Sequence, residues 1–95
     1  MQYLLLIHGN ARSTPSAQEW TAFFARAEAS GMFQGGSAIG NKQLIGSTLS
    51  ASRSDHIAGF MRFDSEDRQR VLDLLDEHPV VTHGGTVELC EMPRT

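Results

Sequence analysis

The chain repeats one order of secondary structure, strand then helix then strand, and this repeat constrains its fold more than any other feature. In the first half, an apolar strand at residues 3–7 precedes a helix that opens near Pro15 and a Gly-rich strand at residues 33–39. In the second half, a strand at residues 56–63 precedes an amphipathic helix closed by His78-Pro79 and a strand at residues 86–92. Short apolar or alternating runs are typical of strands, and apolar residues three and four apart are typical of helices. We therefore predict two strand-helix-strand halves in tandem.

Two such halves, joined in one sheet through right-handed crossovers, form a ferredoxin-like βαββαβ fold. The predicted fold class is therefore α+β, with two helices on one face of a four-stranded antiparallel sheet. A chain of 95 residues is long enough for one domain, so residues 1–95 are predicted to form a single domain.

The first strand predicts a partner for the other face of this sheet. Residues 3–7 read Tyr-Leu-Leu-Leu-Ile and are apolar at every position, which is typical of a strand covered on both faces. Both helices lie on one face, so we predict a homodimer in which the second sheet covers the first as a dimeric α+β barrel. The alternative is a monomer with a solvated open face.

Capping patterns predict where the helices begin and end. Either Ser13-Thr14-Pro15 or the Ser16/Glu19 pair, which has capping-box spacing, opens the first helix. Asp64 or Ser65 is predicted to cap the second helix. His78 is predicted to cap its C-terminus, and Pro79 to stop it. For residues 40–55, the sequence predicts either a short hairpin or a mobile loop.

Composition and charge exclude several classes of function. The net charge is −3, and the eight Lys and Arg residues are scattered, so no basic stripe predicts nucleic-acid binding. A secretory signal needs an apolar region of about 7–15 residues, and a membrane span needs about 20; the N-terminal run is shorter than either. With Cys90 as the one cysteine, we expect a cytoplasmic protein with no membrane partner. No metal-ligand spacing is present, so neither a metal nor another cofactor is predicted.

Several short motifs resemble the YCII-related family, including its DGPF-type branch. They are residues 1–8, Gly35-Gly-Ser37, residues 57–63, His78-Pro-Val-Val81 and residues 84–88. The resemblance covers almost the whole chain apart from residues 40–55. It implies a dimeric α+β barrel with a cleft, between the sheets and the loops, that holds a small organic molecule.

The chain departs from this family at the positions that the resemblance marks as catalytic. Where the family's presumed enzymes carry a histidine on the first helix, this chain has Trp20. Where they carry an aspartate after the Gly-rich strand, it has Gly40-Asn41-Lys42. The Asp-Gly-Pro-Phe signature is also missing, and its nearest equivalent is Ser54-Asp55-His56. The presumed acid/base pair is therefore absent.

The candidate catalytic residues are His8, Asp55 and His56. His8 ends the first strand and His56 begins the third, and in this topology those strands are antiparallel neighbours. We therefore expect both imidazoles at one rim of the sheet, with Asp55 orienting His56 as a general base. The alternative is a pair of strand-edge histidines that hydrogen-bond the backbone.

The candidate ligand-binding residues are His8, Trp20, Ser37, Arg53, His56 and Arg62. Trp20 either packs in the core or lines a pocket. Ser37 follows two glycines and could offer its hydroxyl or its N–H to a ligand. Arg53, in the loop of residues 40–55, is predicted either to act as a gate over the cleft or to be an exposed charge. Arg62, with Glu88, could bind a ligand carboxylate or pair across the dimer.

Three functional hypotheses follow from these residues. The leading hypothesis is a YCII-related homodimer that binds a small, aromatic or carboxylated molecule in a cleft lined by His8, Ser37, Asp55 and His56. The second is a lyase or hydrolase in which His56, oriented by Asp55, abstracts a proton. The third is a structural or interaction protein with no ligand.

Overall fold

The computed structural model describes residues 1–94 and contains four strands and three helices within them. The elements are β1 (Gln2–His8), α1 (Ala17–Ala29), β2 (Phe33–Ala38), β3 (Ile57–Asp64), α2 (Arg68–Leu75), α3 (Pro79–Thr82) and β4 (Val87–Met92). All strand pairs are antiparallel, and the strand order is β2-β3-β1-β4. This arrangement confirms the predicted ferredoxin-like α+β fold, including the antiparallel pairing of β1 with β3.

One face of the sheet carries the hydrophobic core. Tyr3, Leu5 and Ile7 alternate along β1 and are all buried, as the period of two in a strand requires. They pack in one cluster with residues of all three helices. The helical members of that cluster are Phe23, Ala27, Val71, Leu75 and Val80. The helices therefore cover the same face, as the sequence predicts.

The other face, which we call the open face, has no helix over it within residues 1–94. The register places Leu4 beside Arg62 and Cys90, and Leu6 beside Phe60 and Glu88. Leu4, Leu6 and Phe60 are half-buried, because side chains on neighbouring strands shield one another. The centre of the open face is therefore apolar.

Both long helices begin later than the first capping candidates suggest. Ser16 caps α1, and it shares a complete capping box with Glu19, so Pro15 precedes the helix. Asp67 caps α2, in place of the predicted Asp64 or Ser65. Asp64 is still part of β3, and the Ser65 hydroxyl instead accepts the N–H of Asp67 at 3.1 Å. Because of that turn, the helix cap lies two residues after Ser65.

A short third helix corrects the predicted roles of His78 and Pro79. α2 ends at Leu75, and its C-cap is Asp76. His78 is the N-cap of α3, where its Nδ1 accepts the N–H of Val80 at 3.1 Å. Pro79 occupies the first helical turn, where its missing N–H costs nothing. Pro79 therefore begins a helix and does not end one.

The paired glycines of β2 produce the predicted bulge and close approach. The register of β2 against β3 shifts between Phe33 and Gly36, and Gly35 has a φ of 107° there. A Cβ on Gly36 would lie 2.3 Å from the carbonyl oxygen of Phe60. Both positions therefore need glycine, for conformation and for space respectively.

Residues 40–55 form a loop without strand or helix, so the hairpin alternative is wrong. Ile45 and Leu49 are 90% and 100% exposed. The start of β3 is one residue later than predicted, at Ile57. Over the described part of the chain, none of the helices has the length and apolar character needed to cross a membrane.

Candidate functional site

A cleft of about 450 Å³ lies between α1, the loop that joins β1 to α1, and the adjoining ends of β1, β2 and β3. Its size falls within the range of about 300–1,000 Å³ that is usual for small-molecule sites. We call it the α1 cleft. It is lined by Ile7, His8, Gly9, Ala11, Ser13, Thr14, Pro15, Trp20, Phe24, Gly36, Ser37, Ala38, Ala58, Gly59, Phe60, Met61 and Val80.

Two large aromatic side chains of α1 line one side of the α1 cleft. Trp20 and Phe24 are one helical turn apart, and their stacked rings have centroids 5.9 Å apart. Across from them, the strands contribute Gly36, Ala38 and Gly59, which have small side chains or none. Small residues on the sheet opposite large residues on the helix leave the space unfilled. The cleft is therefore mainly apolar, with polar groups at a few positions.

The two predicted histidines lie together at the rim of the sheet. The ring centroids of His8 and His56 are 5.2 Å apart, and His8 lines the α1 cleft. The N–H of Gly9 donates to the carbonyl of His56 at 2.8 Å, which ties the end of β1 to the start of β3. His56 is exposed and lies outside the cleft lining.

The carboxylate beside these histidines is Glu88. Nε2 of His8 is 2.8 Å from Oε1 of Glu88, which lies on β4. An ionised carboxylate can only accept a hydrogen bond, so Nε2 of His8 carries the proton and Nδ1 keeps a free electron pair in the neutral ring. Glu88 therefore pairs with a histidine of its own chain.

Asp55 has a different partner from the one predicted. The Asp55 carboxylate accepts a hydrogen bond from Nε of Arg53 at 3.1 Å. The Arg53 side chain also donates to the carbonyl of Lys42. Within residues 1–94 the Asp55 carboxylate makes no hydrogen bond with His56. The orienting Asp55–His56 pair is therefore replaced by an Arg53–Asp55 pair, because the two are close in the same loop.

The remaining predicted ligand-binding residues divide into two groups. Ser37 lines the α1 cleft, and its hydroxyl donates to the carbonyl of Ala38 at 2.8 Å. Arg53 is absent from the cleft lining, as is Arg62. Arg62 pairs in register with Leu4, four residues along β1 from His8, which is about 13 Å in a strand. The structure thus brings His8, Trp20 and Ser37 together, with His56 adjacent.

A buried histidine supports Trp20 from beneath. His78 is 0% exposed, and its ring meets those of Trp20 and Phe23 edge to face, at centroid distances of 5.2 and 4.8 Å. Burial lowers the pKa of His78 from 6.5 to about 4, because the charged form loses its hydration. His78 is therefore neutral at pH 7 and acts as a packing and capping residue.

Sequence reasoning missed one side of the cleft entirely. The loop between β1 and α1 contributes Gly9, Ala11 and residues 13–15 to the lining. The residue types of this loop indicate only a turn and candidate helix caps. The position of the loop in the sequence could have indicated its role, because a segment that directly follows His8 must lie at the same end of the sheet.

Comparisons with known proteins identify the fold. No family model matches this chain. No curated protein matches it either. Among solved structures, the chain is similar to 5-chloro-2-hydroxyhydroquinone dehydrochlorinase from Burkholderia phenoliruptrix, in complex with 2,5-dihydroxybenzoquinone. The match has a TM-score of 0.56 and 14% identity, and it covers 100% of this chain and 96% of the other. At this identity the likeness concerns the fold.

Proposed function

We propose that this protein binds a small organic molecule with an aromatic or similar flat ring in the α1 cleft. The observation that carries the proposal is the cleft itself, about 450 Å³ in volume and lined by Trp20, Phe24, Met61 and Val80. Such side chains favour a flat apolar ligand through burial and ring stacking. The glycines on the opposite side allow a ring to approach the backbone of the sheet.

His8 would recognise a polar substituent on such a ring. Its Nε2 is engaged with Glu88, so Nδ1 is the atom left to accept from a ligand hydroxyl. If Nδ1 instead takes a proton, the ring pairs with a ligand carboxylate. The similar dehydrochlorinase structure holds 2,5-dihydroxybenzoquinone, a ring of this size that carries hydroxyl groups. A hydroxylated or carboxylated ring is therefore the ligand class that we propose.

Proton abstraction by His56 is the weaker of the two ligand-based hypotheses. Arg53 holds Asp55, and His56 lies outside the cleft lining. A general base must reach the proton that it abstracts and is usually oriented by a partner. Ligand binding therefore has more support than a His56-based lyase or hydrolase.

We also propose that the protein is a homodimer whose open faces meet. The half-buried side chains of the open face include Leu4, Leu6 and Phe60. A second copy offers the same apolar surface, and a two-fold axis brings identical patches together. Phe60 belongs to the open face and also lines the α1 cleft, so the proposed dimer interface adjoins the edge of the cleft.

Binding can be tested by NMR, because Trp20 is the one tryptophan of the chain and gives one indole N–H signal. We expect benzoate and 2,5-dihydroxybenzoquinone to shift that signal in a saturable way. Ala38→Phe fills the cleft and should weaken binding by about tenfold or more. Ala22→Phe, at an exposed position of α1 outside the cleft lining, is the matched control and should bind normally.

Two results would contradict the proposal. One is the absence of a saturable shift with any ring-bearing compound at millimolar concentration, which would favour an interaction protein with no ligand. The other is equal binding by wild type and Ala38→Phe, which would place the ligand elsewhere.

A further inference from the structure

A second polar cluster lies next to the α1 cleft, and the sequence patterns did not indicate it. Nδ1 of His83 is 2.7 Å from Oγ of Ser13, and Nε2 of the same ring is 2.5 Å from Oε2 of Glu19. The three residues come from the β1–α1 loop, the first turn of α1 and the C-cap of α3. A hydroxyl, an imidazole and a carboxylate in one hydrogen-bonded line are the parts of a nucleophilic triad.

The carboxylate determines which nitrogen of His83 can act as a base. The hydrogen bond with His83 is the main cause that lowers the pKa of Glu19, so Glu19 is ionised at neutral pH and can only accept. Nε2 of His83 must then carry the proton of the neutral ring. Nδ1 is left as the acceptor, and the Ser13 hydroxyl donates to it. A serine nucleophile needs such an acceptor, and here Nδ1 supplies it, with the two ring nitrogens exchanged relative to the usual triad, in which Nε2 accepts from the serine and Nδ1 donates to the carboxylate.

Each member of the cluster is held in place by a further contact. Oε1 of Glu19 accepts the N–H of Ser16 at 3.1 Å as part of the capping box, so both carboxylate oxygens are used. The N–H of Arg12 donates to the carbonyl of His83 at 2.8 Å and joins the Ser13 loop to the α3 end. The His83 side chain is only 20% exposed. The geometry therefore does not depend on freely moving side chains.

Ser13 also contacts the proposed ligand site directly, because it lines the α1 cleft. A nucleophile is useful only where a reacting carbonyl can be placed beside it. The apolar surface of Trp20 and Phe24 supplies a site for an acyl group. Within the described chain, the N–H groups of Ser13 and Thr14 donate no hydrogen bond, so they are available to a developing oxyanion.

We propose that Ser13, with His83 as general base and Glu19 as positioning residue, is an acyl-transfer site that hydrolyses esters of small aromatic or apolar acids. The acyl group would occupy the α1 cleft, so the substrate class rests on the proposed function. The nucleophile itself does not.

The reaction balances with water as the second reactant. Oγ of Ser13 bonds to the ester carbonyl carbon while its proton passes to Nδ1 of His83. The carbon–oxygen bond to the alcohol then breaks, and His83 returns the proton to the departing oxygen. A water molecule attacks the acyl-serine, His83 takes its proton, and that proton goes back to Oγ as the acid leaves. One ester and one water give one acid and one alcohol.

The test uses diisopropyl fluorophosphate, which forms an oxygen–phosphorus bond with an activated serine and releases fluoride. Intact-mass measurement and peptide mapping of the wild-type protein should show one adduct, on Ser13. Ser13→Ala should remove the adduct, and His83→Gln should slow labelling by about 100-fold or more. Ser47→Ala, in the exposed loop of residues 40–55, is the matched control and should label at the wild-type rate.

Glu19→Gln distinguishes positioning from support of the fold. Glutamine preserves the capping box and removes the charge that fixes the His83 tautomer. We expect thermal unfolding close to that of wild type, labelling slower by about tenfold or more, and a changed pH profile of the labelling rate. If the contact of Glu19 with His83 only supported the fold, Glu19→Gln would leave both the labelling rate and its pH profile unchanged.

The two proposals can fail separately. An unlabelled wild-type protein, or an adduct on another residue, overturns the Ser13 site whatever the variants do. If benzoate still shifts the Trp20 signal in that case, ligand binding stands alone. If Ser13 is labelled but no ring-bearing compound binds, the nucleophile stands and the aromatic substrate class is wrong.

Discussion

His78 is the residue whose chemistry depends most on its surroundings. Its Nδ1 accepts the N–H of Val80, so the proton of the neutral ring lies on Nε2. Nε2 is buried and has no hydrogen-bond partner within residues 1–94. The neighbouring rings of Trp20 and Phe23 offer weak edge-to-face contacts. Burial away from water favours a neutral imidazole over a charged one, in line with the lowered pKa.

This burial predicts a pH dependence of stability. The pKa of His78 is about 4 in the folded protein and about 6.5 in an unfolded chain, so the unfolded state binds more protons between those values. The contribution of the buried neutral His78 to the free energy of unfolding is fully present above pH 6.5. It falls by about 3 kcal/mol as the pH decreases towards 4. Urea unfolding at a series of pH values measures it.

His78→Asn is the informative variant for this prediction, because asparagine can cap α3 but does not titrate. The fall in the free energy of unfolding from pH 7 to pH 4 should be smaller than in wild type. His56→Ala, at an exposed position, should keep the wild-type dependence. Equal slopes for wild type and His78→Asn would exclude His78 as the source.

Single hydrogen bonds also decide which predicted site residues act together. The prediction that His8 and His56 lie side by side needed only strand order, and their rings are 5.2 Å apart. The predicted role of Asp55 needed the conformation of a loop, and there Arg53 is its partner. Strand pairing follows from periodicity, whereas the direction of a loop side chain does not.

At the level of elements, the loop before α1 depends on a glycine just before β4. The N–H of Gly85 donates to the carbonyl of Val80 at 2.8 Å. A Cβ on Gly85 would lie 2.6 Å from Cγ1 of Val80 and 3.0 Å from the backbone of Ala11. Val80 and Ala11 both line the α1 cleft. Close packing at Gly85 therefore positions two sides of the cleft.

Gly85→Ala should displace this loop. We expect the free energy of unfolding to fall by about 1–3 kcal/mol, as for other overpacked sites, and ligand binding to weaken. Urea unfolding and the Trp20 indole signal measure the two effects. Gly40→Ala is the matched control, because nothing lies within 4 Å of a Cβ there. If the two variants were equally stable, the tight packing at Gly85 would be refuted.

At the level of the whole molecule, the open face is the surface that an isolated subunit leaves incomplete. Leu4 and Leu6 alternate with the buried residues of β1 and have only their strand neighbours for cover. A sheet with helices on one side usually buries its other apolar side against another layer. In the proposed homodimer, that layer is the open face of the second copy.

A charge on the open face should therefore separate the proposed dimer. In Leu4→Glu the new carboxylate has Arg62 as its neighbour, so the monomer remains folded, while two such carboxylates repel near a two-fold axis. Light scattering at micromolar concentration should give twice the chain mass of 10.4 kDa for wild type. It should give a lower mass for Leu4→Glu.

Gln18→Glu is the control for the dimer, because it adds the same charge at an exposed position of α1. It should leave the mass unchanged. A wild-type mass equal to one chain would contradict the dimer directly.

The sequence alone determined the α+β fold, the strand order and the sheet face that carries the core. Periods of two and of three to four specify which side of each element is apolar, and two repeated strand-helix-strand halves leave few ways to bury those sides. The close approach at Gly36 was also readable, because a glycine inside a strand often marks a bulge or a neighbouring backbone that leaves no room for a side chain.

Only the tertiary structure decided which residues meet in the α1 cleft and in the polar cluster beside it. Ser13, Glu19 and His83 lie on three separate segments, and their hydrogen bonds depend on the path of a loop and on a helix cap. In the sequence, Ser13 and Glu19 had local interpretations as residues that open the first helix, and His83 had no predicted role. Side chains distant in sequence come together through the packing of elements, which local patterns do not encode. The sequence therefore determined the scaffold, and tertiary packing determined the candidate chemistry.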